Sequence, residues 1–182
     1  RWQRAGAPID GCQIAPLMAV WHPRATDTGG EPGVIVQTVL HLYFRLTRAM
    51  TLGVRAAILT PEGKFVLVRH TYTPGWHFPG GGIERNEVAA EALKREVAQE
   101  VGIALTDAPV IFGVYHNRAV SRRDHVLLFT CRLAGALPAK PHSAEIAQIG
   151  VFGLDDLPAD INPGTAQRMR EILLGEPPRT EW

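Results

Sequence analysis

The segment GGGIERNEVAAEALKREVAQEVGI, residues 80–103, decides how the rest of the chain is read. Three glycines open it, an amphipathic pattern follows, and Gly102 closes it. Asn86 is a favourable N-cap, Glu87 suits the positive end of a helix, and glycine commonly follows a helix C-terminus. Together they predict a helix over 87–101. At 100° per residue, Leu93, Val97 and Val101 make one apolar stripe with Ala90 beside it. Taking Leu93 as zero, Glu100 falls at about −20°, Glu96 at about −60° and Gln99 at about −120°. Two acids beside a buried stripe repel each other unless something positive sits between them, and a hard divalent cation with oxygen ligands meets that need. Taken alone, the trio reads more readily as a solvated acidic face balanced by Lys94 and Arg95. The glycines change the weighing. Backbone at Gly80, Gly81 and Gly82 can approach a ligand closely, and a free carbonyl there can complete a metal shell.

The bulk composition bounds what such a site can serve. A chain of 182 residues is long enough for one full core, and its 46% hydrophobic and 20% charged residues are those of an ordinary globule. With 19 basic and 18 acidic residues the net charge is +1, so no bulk field recruits DNA or an anionic membrane. Any nucleotide binding must come from a local site. Cys12 and Cys131 lie far apart with no Cys-x-x-Cys partner, which offers neither a zinc cluster nor a disulfide framework and fits a reducing cytoplasm. The apolar run at 34–44, broken by Gln37 and His41, is far short of the ~20 residues of a membrane helix. Residues 14–20 follow Arg1 and Arg4 but form too short an apolar run for a signal peptide.

Along the chain, residues 1–33 carry four prolines and no sustained periodicity, and read as an irregular N-terminal tail ahead of a domain over 34–182. Helical spacing over 35–50 gives a helix that packs on its own domain or on a second subunit, as in a homodimer. Strands at 54–60 and 64–72 flank a turn at Gly63 and read as a hairpin; 73–82 reads as a loop. Strands follow at 109–117, 124–133 and 146–152, and then a C-terminal helix over 165–174 that stops before Gly175. Strands mixed with a few helices predict an α/β fold, helices packed on a mixed β-sheet.

The 80–103 segment resembles the signature box of the NUDIX hydrolases. Gly81, five residues, Glu87, seven residues, then Arg95-Glu96-Val97-Ala98-Gln99-Glu100-Val101-Gly102-Ile103 follows that pattern at every fixed position except Gln99, where the family usually has a metal-binding glutamate. The likeness extends more loosely over about 50–175, including Phe78-Pro79-Gly80-Gly81 and the 151–158 segment. It implies an α/β/α sandwich with a mixed β-sheet, whose loop–helix–loop box holds Mg²⁺ or Mn²⁺ and hydrolyses a diphosphate linkage in a nucleoside diphosphate derivative. Carried onto this chain, it implies Glu96 and Glu100 as metal ligands, with Glu96 also able to activate water and the Gly80 carbonyl as a further ligand. The resemblance also implies that Arg95 orients carboxylates by pairing with Glu87. An amide at Gln99 can still offer an oxygen to a hard cation but adds no negative charge.

Family members often take another carboxylate from a loop late in the chain, for which Glu145 is the better candidate and Asp124 the second. Each reads equally well as a surface acid. Arg69 and His70 at the end of the second strand, with Arg55 and Arg123, are candidates for substrate phosphate or base, and each is also an ordinary exposed cation. Trp76 beside the glycines, next to His77, is placed to stack on a nucleobase or to pack in the core. His116 and His125 lack zinc-ligand spacing and read as structural. The resulting expectation is a Mg²⁺-dependent pyrophosphohydrolase of a small nucleotide or nucleotide sugar. The alternative is a catalytically impaired domain that senses nucleotides or metabolites, and a chance match to the box is the weakest reading.

Overall fold

The computed structural model describes Tyr43 and residues 50–138, 141 and 143–182. The expected tail over 1–33, the boundary at 34 and Cys12 lie outside these residues, as does the 35–50 helix apart from Tyr43 and Met50. In chain order the elements are β1 (Thr51–Leu59), β2 (Phe65–His70), β3 (Trp76–His77), α1 (Ala89–Glu100), β4 (Val110–His116), β5 (Asp124–Arg132), β6 (Ile146–Phe152) and α2 (Pro163–Leu174). Strand and C-terminal helix positions agree with the sequence reading to within a few residues, the margin at which element ends fray.

β1 and β5 run parallel in register from Thr51↔Asp124 to Leu59↔Arg132, and β4 adds antiparallel to β5. The hairpin at Gly63 (φ 79°) joins β1 to β2, but the two strands pair only at Ile58↔Val66 and Leu59↔Phe65. Beyond that point the second edge of β1 is taken by the glycine loop. Val54 N–H donates to the Gly81 carbonyl at 2.9 Å, Ala56 N–H to Pro79 at 2.8 Å, and Ile83 N–H to Leu52 at 3.0 Å. β2 meanwhile pairs with β6 along its length and with the short β3. The segment 73–82, expected to be all loop, thus contributes a two-residue strand and a stretch hydrogen-bonded to the sheet.

Strand alternation divides the core in two. Val54, Ala56 and Ile58 of β1 with Val66 and Val68 of β2 face Leu93, Val97 and Val101 of α1. On the opposite face Ala57, Phe65 and Leu67 pack with Met169 of α2. Helices therefore cover both faces of a mixed sheet, which is the α/β/α sandwich. Under α2, Arg168 and Glu171 form a buried pair at 2.6 Å, the Tyr115 hydroxyl donates to Glu171 at 3.3 Å, and the guanidinium lies 4.4 Å from the Tyr115 ring centroid.

The helix caps fall differently from expectation at one end of each helix. Asn86 is not the N-cap of α1: it sits at φ 63°, a left-handed turn conformation that asparagine tolerates, and Val88 in extended geometry caps the helix without a side-chain bond. Glu87 is drawn away to Arg95 instead. α2 starts two residues earlier than expected because Asn162 caps it, accepting from Thr165 N–H at 3.2 Å, with Pro163 at the first position where no donor is needed. Gly175 closes it in left-handed geometry.

Candidate active site

The glycine loop and the last turn of α1 meet because both are anchored to the same sheet, the loop by backbone bonds to β1 and the helix by its apolar stripe. Glu100 turns inward, 6% exposed, and its Oε2 accepts the Gly80 N–H at 2.7 Å. Burial pushes its carboxyl up to about 7, with the Gly80 hydrogen bond and the Arg55 charge opposing the shift. Its Oε1 lies 3.7 Å from His70 Nε2, too long for a hydrogen bond. Burial, and then the Arg55 charge and repulsion from His77, hold the His70 imidazolium down at about 4, so the ring is neutral near pH 7.

Arg95 organises the opposite wall. Its Nε and Nη2 clasp both oxygens of Glu87 at 2.8 and 2.9 Å, Nη2 also reaches the Gly82 carbonyl at 3.0 Å, and Nη1 donates to Glu96 Oε1 at 2.7 Å. This two-pronged bond pulls the Glu87 carboxyl down to about 2. Glu96 then rests against the loop so closely that a Cβ on Gly81 would sit 2.4 Å from its Oε1. Only glycine permits that approach.

Glu96, Gln99, Glu100, Ser143 and Glu145 line one cavity of about 350 Å³. Glu145 is held there by its backbone carbonyl, which accepts from Thr71 N–H at 2.9 Å at the end of β2. Asp124, the second candidate, is occupied in the β4–β5 turn by Thr51 Oγ1 at 2.6 Å and Asn117 Nδ2 at 2.7 Å. Gln99 is exposed at the cavity edge, its Oε1 3.5 Å from Arg95 Nη1.

The donor set suits a hard divalent cation: two carboxylates on adjacent helical turns, and a Gly80 carbonyl that already faces a positive group, the Arg55 guanidinium. Among the described residues no three His, Cys, Asp or Glu side chains converge into a ready-made cage. Water and substrate oxygens would have to complete the shell.

Residues 50–173 match the NUDIX domain family. The chain is a member of the NUDIX family. Among curated relatives, an RNA pyrophosphohydrolase from Halorhodospira halophila is 37% identical over 54 residues, 30% of each chain. A MutT-like protein from Streptomyces ambofaciens is 25% identical over 128 residues, 70% of this chain and 80% of that one. The alignments span about a third of the length of the first curated relatives matched. Among solved structures, a MutT NUDIX hydrolase from Burkholderia pseudomallei superposes with a TM-score of 0.56 at 25% identity, covering 68% of this chain and 98% of that one.

Within this NUDIX domain three expected substrate contacts fall elsewhere. Trp76, 8% exposed, packs edge-on against Phe152 with ring centroids 4.8 Å apart, so its faces are taken by the core and not offered to a base. Arg69 points to the face opposite His70, as alternation along β2 requires, and pairs with Asp160 at 3.2 Å. Arg123 lies exposed in the β4–β5 turn and does not line the cavity. His70 stays near the carboxylates but is buried against them. His77 bonds the Pro74 carbonyl at 2.9 Å, and His116 stacks on His125 at 5.1 Å.

Three residues carry more of the site than their sequence context suggested: Ser143 in the cavity wall, Tyr72 and Arg55. The exposed Tyr72 ring sits by His70 at 5.3 Å, and its hydroxyl is raised by burial and then by Glu145 and Glu100. For Arg55 a signal existed. It is a single charge inside the strand Thr51–Leu59, whose following residues Ala56, Ala57 and Ile58 are all buried. No helix longer and apolar enough to cross a membrane occurs among the described residues, and Cys131 is a buried free thiol pushed up to about 12 by its surroundings.

Proposed function

We propose that this NUDIX domain is a hydrolase of phosphoanhydride bonds, dependent on Mg²⁺ or Mn²⁺ and acting on a nucleoside diphosphate derivative, nucleotide or nucleotide sugar. The observation that carries the reading is that Glu96, Glu100 and Glu145 line one cavity, with Glu96 held by Arg95 and Glu100 tied to the Gly80 backbone N–H. Glu96, Glu100 and the Gly80 carbonyl are the residues to hold the ion, with Glu145 and Gln99 at the rim. A bound divalent ion would neutralise anhydride oxygens and lower the pKa of a coordinated water.

The chain's own groups supply the rest. Arg95 fixes Glu96 by a 2.7 Å bond and is itself locked by Glu87, so the carboxylate has little freedom to swing out of the cavity. The Gly80 N–H fixes one oxygen of Glu100 and leaves the other toward the site. Glu96, the less buried of the two, is placed to take a proton from the attacking water. Tyr72 stands beside the cavity as an aromatic surface for a base, in the place the sequence had offered to Trp76.

A binding-only domain is the second reading, favoured by one observation: Gln99 puts a neutral amide where a third box carboxylate would stand. The deciding measurement is phosphate release from ADP-ribose, dinucleoside polyphosphates, nucleoside triphosphates and, given the RNA pyrophosphohydrolase relative, a 5′-triphosphorylated RNA, with Mg²⁺ and Mn²⁺ titrated. Turnover of at least one is expected. No turnover at millimolar metal, with nucleotide still bound, would establish the sensor instead. A cytoplasmic location and a homodimer are proposed alongside it, and sedimentation of the full chain tests the latter.

A further inference from the structure

Arg55 occupies an unusual position for a strand residue. It projects from β1 at the level of the glycine loop, half-buried, and its Nη1 donates to the Gly80 carbonyl and, at 3.4 Å, to the Phe78 carbonyl. Glu100 and Glu96 are the strongest negative charges acting on it. A guanidinium is thus already hydrogen-bonded to the Gly80 carbonyl that suits a divalent ion, and it lies within the field of the two carboxylates. Those donors cannot serve both cations fully, since a carbonyl turned to one is directed away from the other, and like charges in a half-buried site repel strongly. The charge count points the same way. Glu96, Glu100 and Glu145 bring three carboxyl groups to the cavity, Gln99 brings none, and Arg95 is shared between Glu87 and Glu96.

We infer that Arg55 is the site's built-in cation, competing with the divalent ion for Gly80 and the adjoining carboxylates in the substrate-free protein and binding substrate phosphate oxygens when they arrive. The inference rests on the hydrolase reading and adds a substrate-binding residue to it. A phosphoanhydride brings several anionic oxygens in a plane that a guanidinium can grip with two parallel bonds, and Arg55 has donors beyond the one given to Gly80. A role limited to pinning the loop would use the same Gly80 bond but would not set Mn²⁺ affinity against phosphate affinity.

The test uses the full chain, Mn²⁺ alone read by electron paramagnetic resonance, and imidodiphosphate at saturating Mn²⁺ read by calorimetry. In Arg55→Gln, Mn²⁺ should bind about fivefold tighter and imidodiphosphate about tenfold weaker, the scale of one charged hydrogen bond. Arg55→Lys, which keeps the charge and loses the two-pronged geometry, should shift both in the same directions by less. It also carries the comparison if Arg55→Gln fails to fold by circular dichroism. Mn²⁺ affinity unchanged or reduced in a folded variant overturns the inference and leaves Arg55 as a loop pin. A wild type that binds neither probe defeats the hydrolase reading and this inference together; a wild type that binds both, matched by an unaltered variant, defeats this inference alone.

Discussion

Gly80 and Glu100 are twenty residues apart in sequence and joined by a 2.7 Å hydrogen bond from the glycine N–H to the carboxylate Oε2. The bond ties the loop to the last turn of α1 and holds a buried carboxylate that desolvation works against. Two neighbouring residues, His70 and Glu100, are both driven toward their neutral forms by the same burial.

That shared burial has opposite consequences for stability against pH. Glu100 has its folded pKa raised from 4.5 to about 7, so its cost is absent below pH 4.5, grows through that window and is complete above 7, at about 3 kcal/mol. His70 has its folded pKa lowered from 6.5 to about 4, so its stabilising contribution is present above 6.5 and is lost as pH falls toward 4. The two slopes oppose one another in metal-free protein. Glu100→Gln should leave a melting temperature that rises between pH 4 and 6.5, whereas His70→Asn should leave one that falls between 4.5 and 7. Thermal melts in chelator measure both, and parallel profiles for the two variants would contradict the assignment.

Adjacent glycines should fail in different ways. A Cβ on Gly80 would lie 2.1 Å from the Val54 carbonyl oxygen at a φ of 141°, so Gly80→Ala should cost on the order of 3 kcal/mol of stability. On Gly81 the obstacle is the Glu96 carboxylate, a side-chain end that can move. Gly81→Ala should therefore fold at less cost than Gly80→Ala, giving up the Arg95–Glu96 bond rather than moving backbone, while its kcat falls about tenfold or more as Glu96 is displaced. Urea denaturation alongside turnover separates the two outcomes.

Gln99→Glu restores a charge at the cavity edge and should lower the half-saturating Mg²⁺ concentration by about tenfold with activity preserved. Arg95 Nη1, 3.5 Å from the present amide oxygen, is the competitor. Metal dependence identical to wild type would mean that the new carboxylate is taken by Arg95 and not by the ion.

Trp76 offers a test of core against contact. Trp76→Ala should lose about 3–5 kcal/mol of stability, as removal of a buried aromatic does. Trp76→Phe, which keeps a ring against Phe152, should retain the wild-type KM for whichever substrate is turned over. A raised KM in a stably folded Trp76→Phe protein would restore the ring to the substrate site.

Much of this was determined by the chain in isolation. The α1 segment reads correctly because its stripe, its charges and Gly102 repeat with the period of a single helix, and the placing of Glu96 and Glu100 beside Leu93 follows from one rotation per residue. Pairing of Arg95 with Glu87, which the likeness to the box implied, spans only eight residues across the helix start. What tertiary structure alone decided are relationships between distant segments that no short-range period encodes. Whether Trp76 faced a ligand or Phe152, and whether Arg69 or His70 shared a face with Glu100, depended on the register of β2 against β3 and β6. A shift of one residue there would exchange the two faces. Arg55 is the sharpest case. Its charge was visible within an apolar strand, but its meaning came only when the loop from 79 to 83 hydrogen-bonded along β1 and brought the Gly80 carbonyl to its guanidinium.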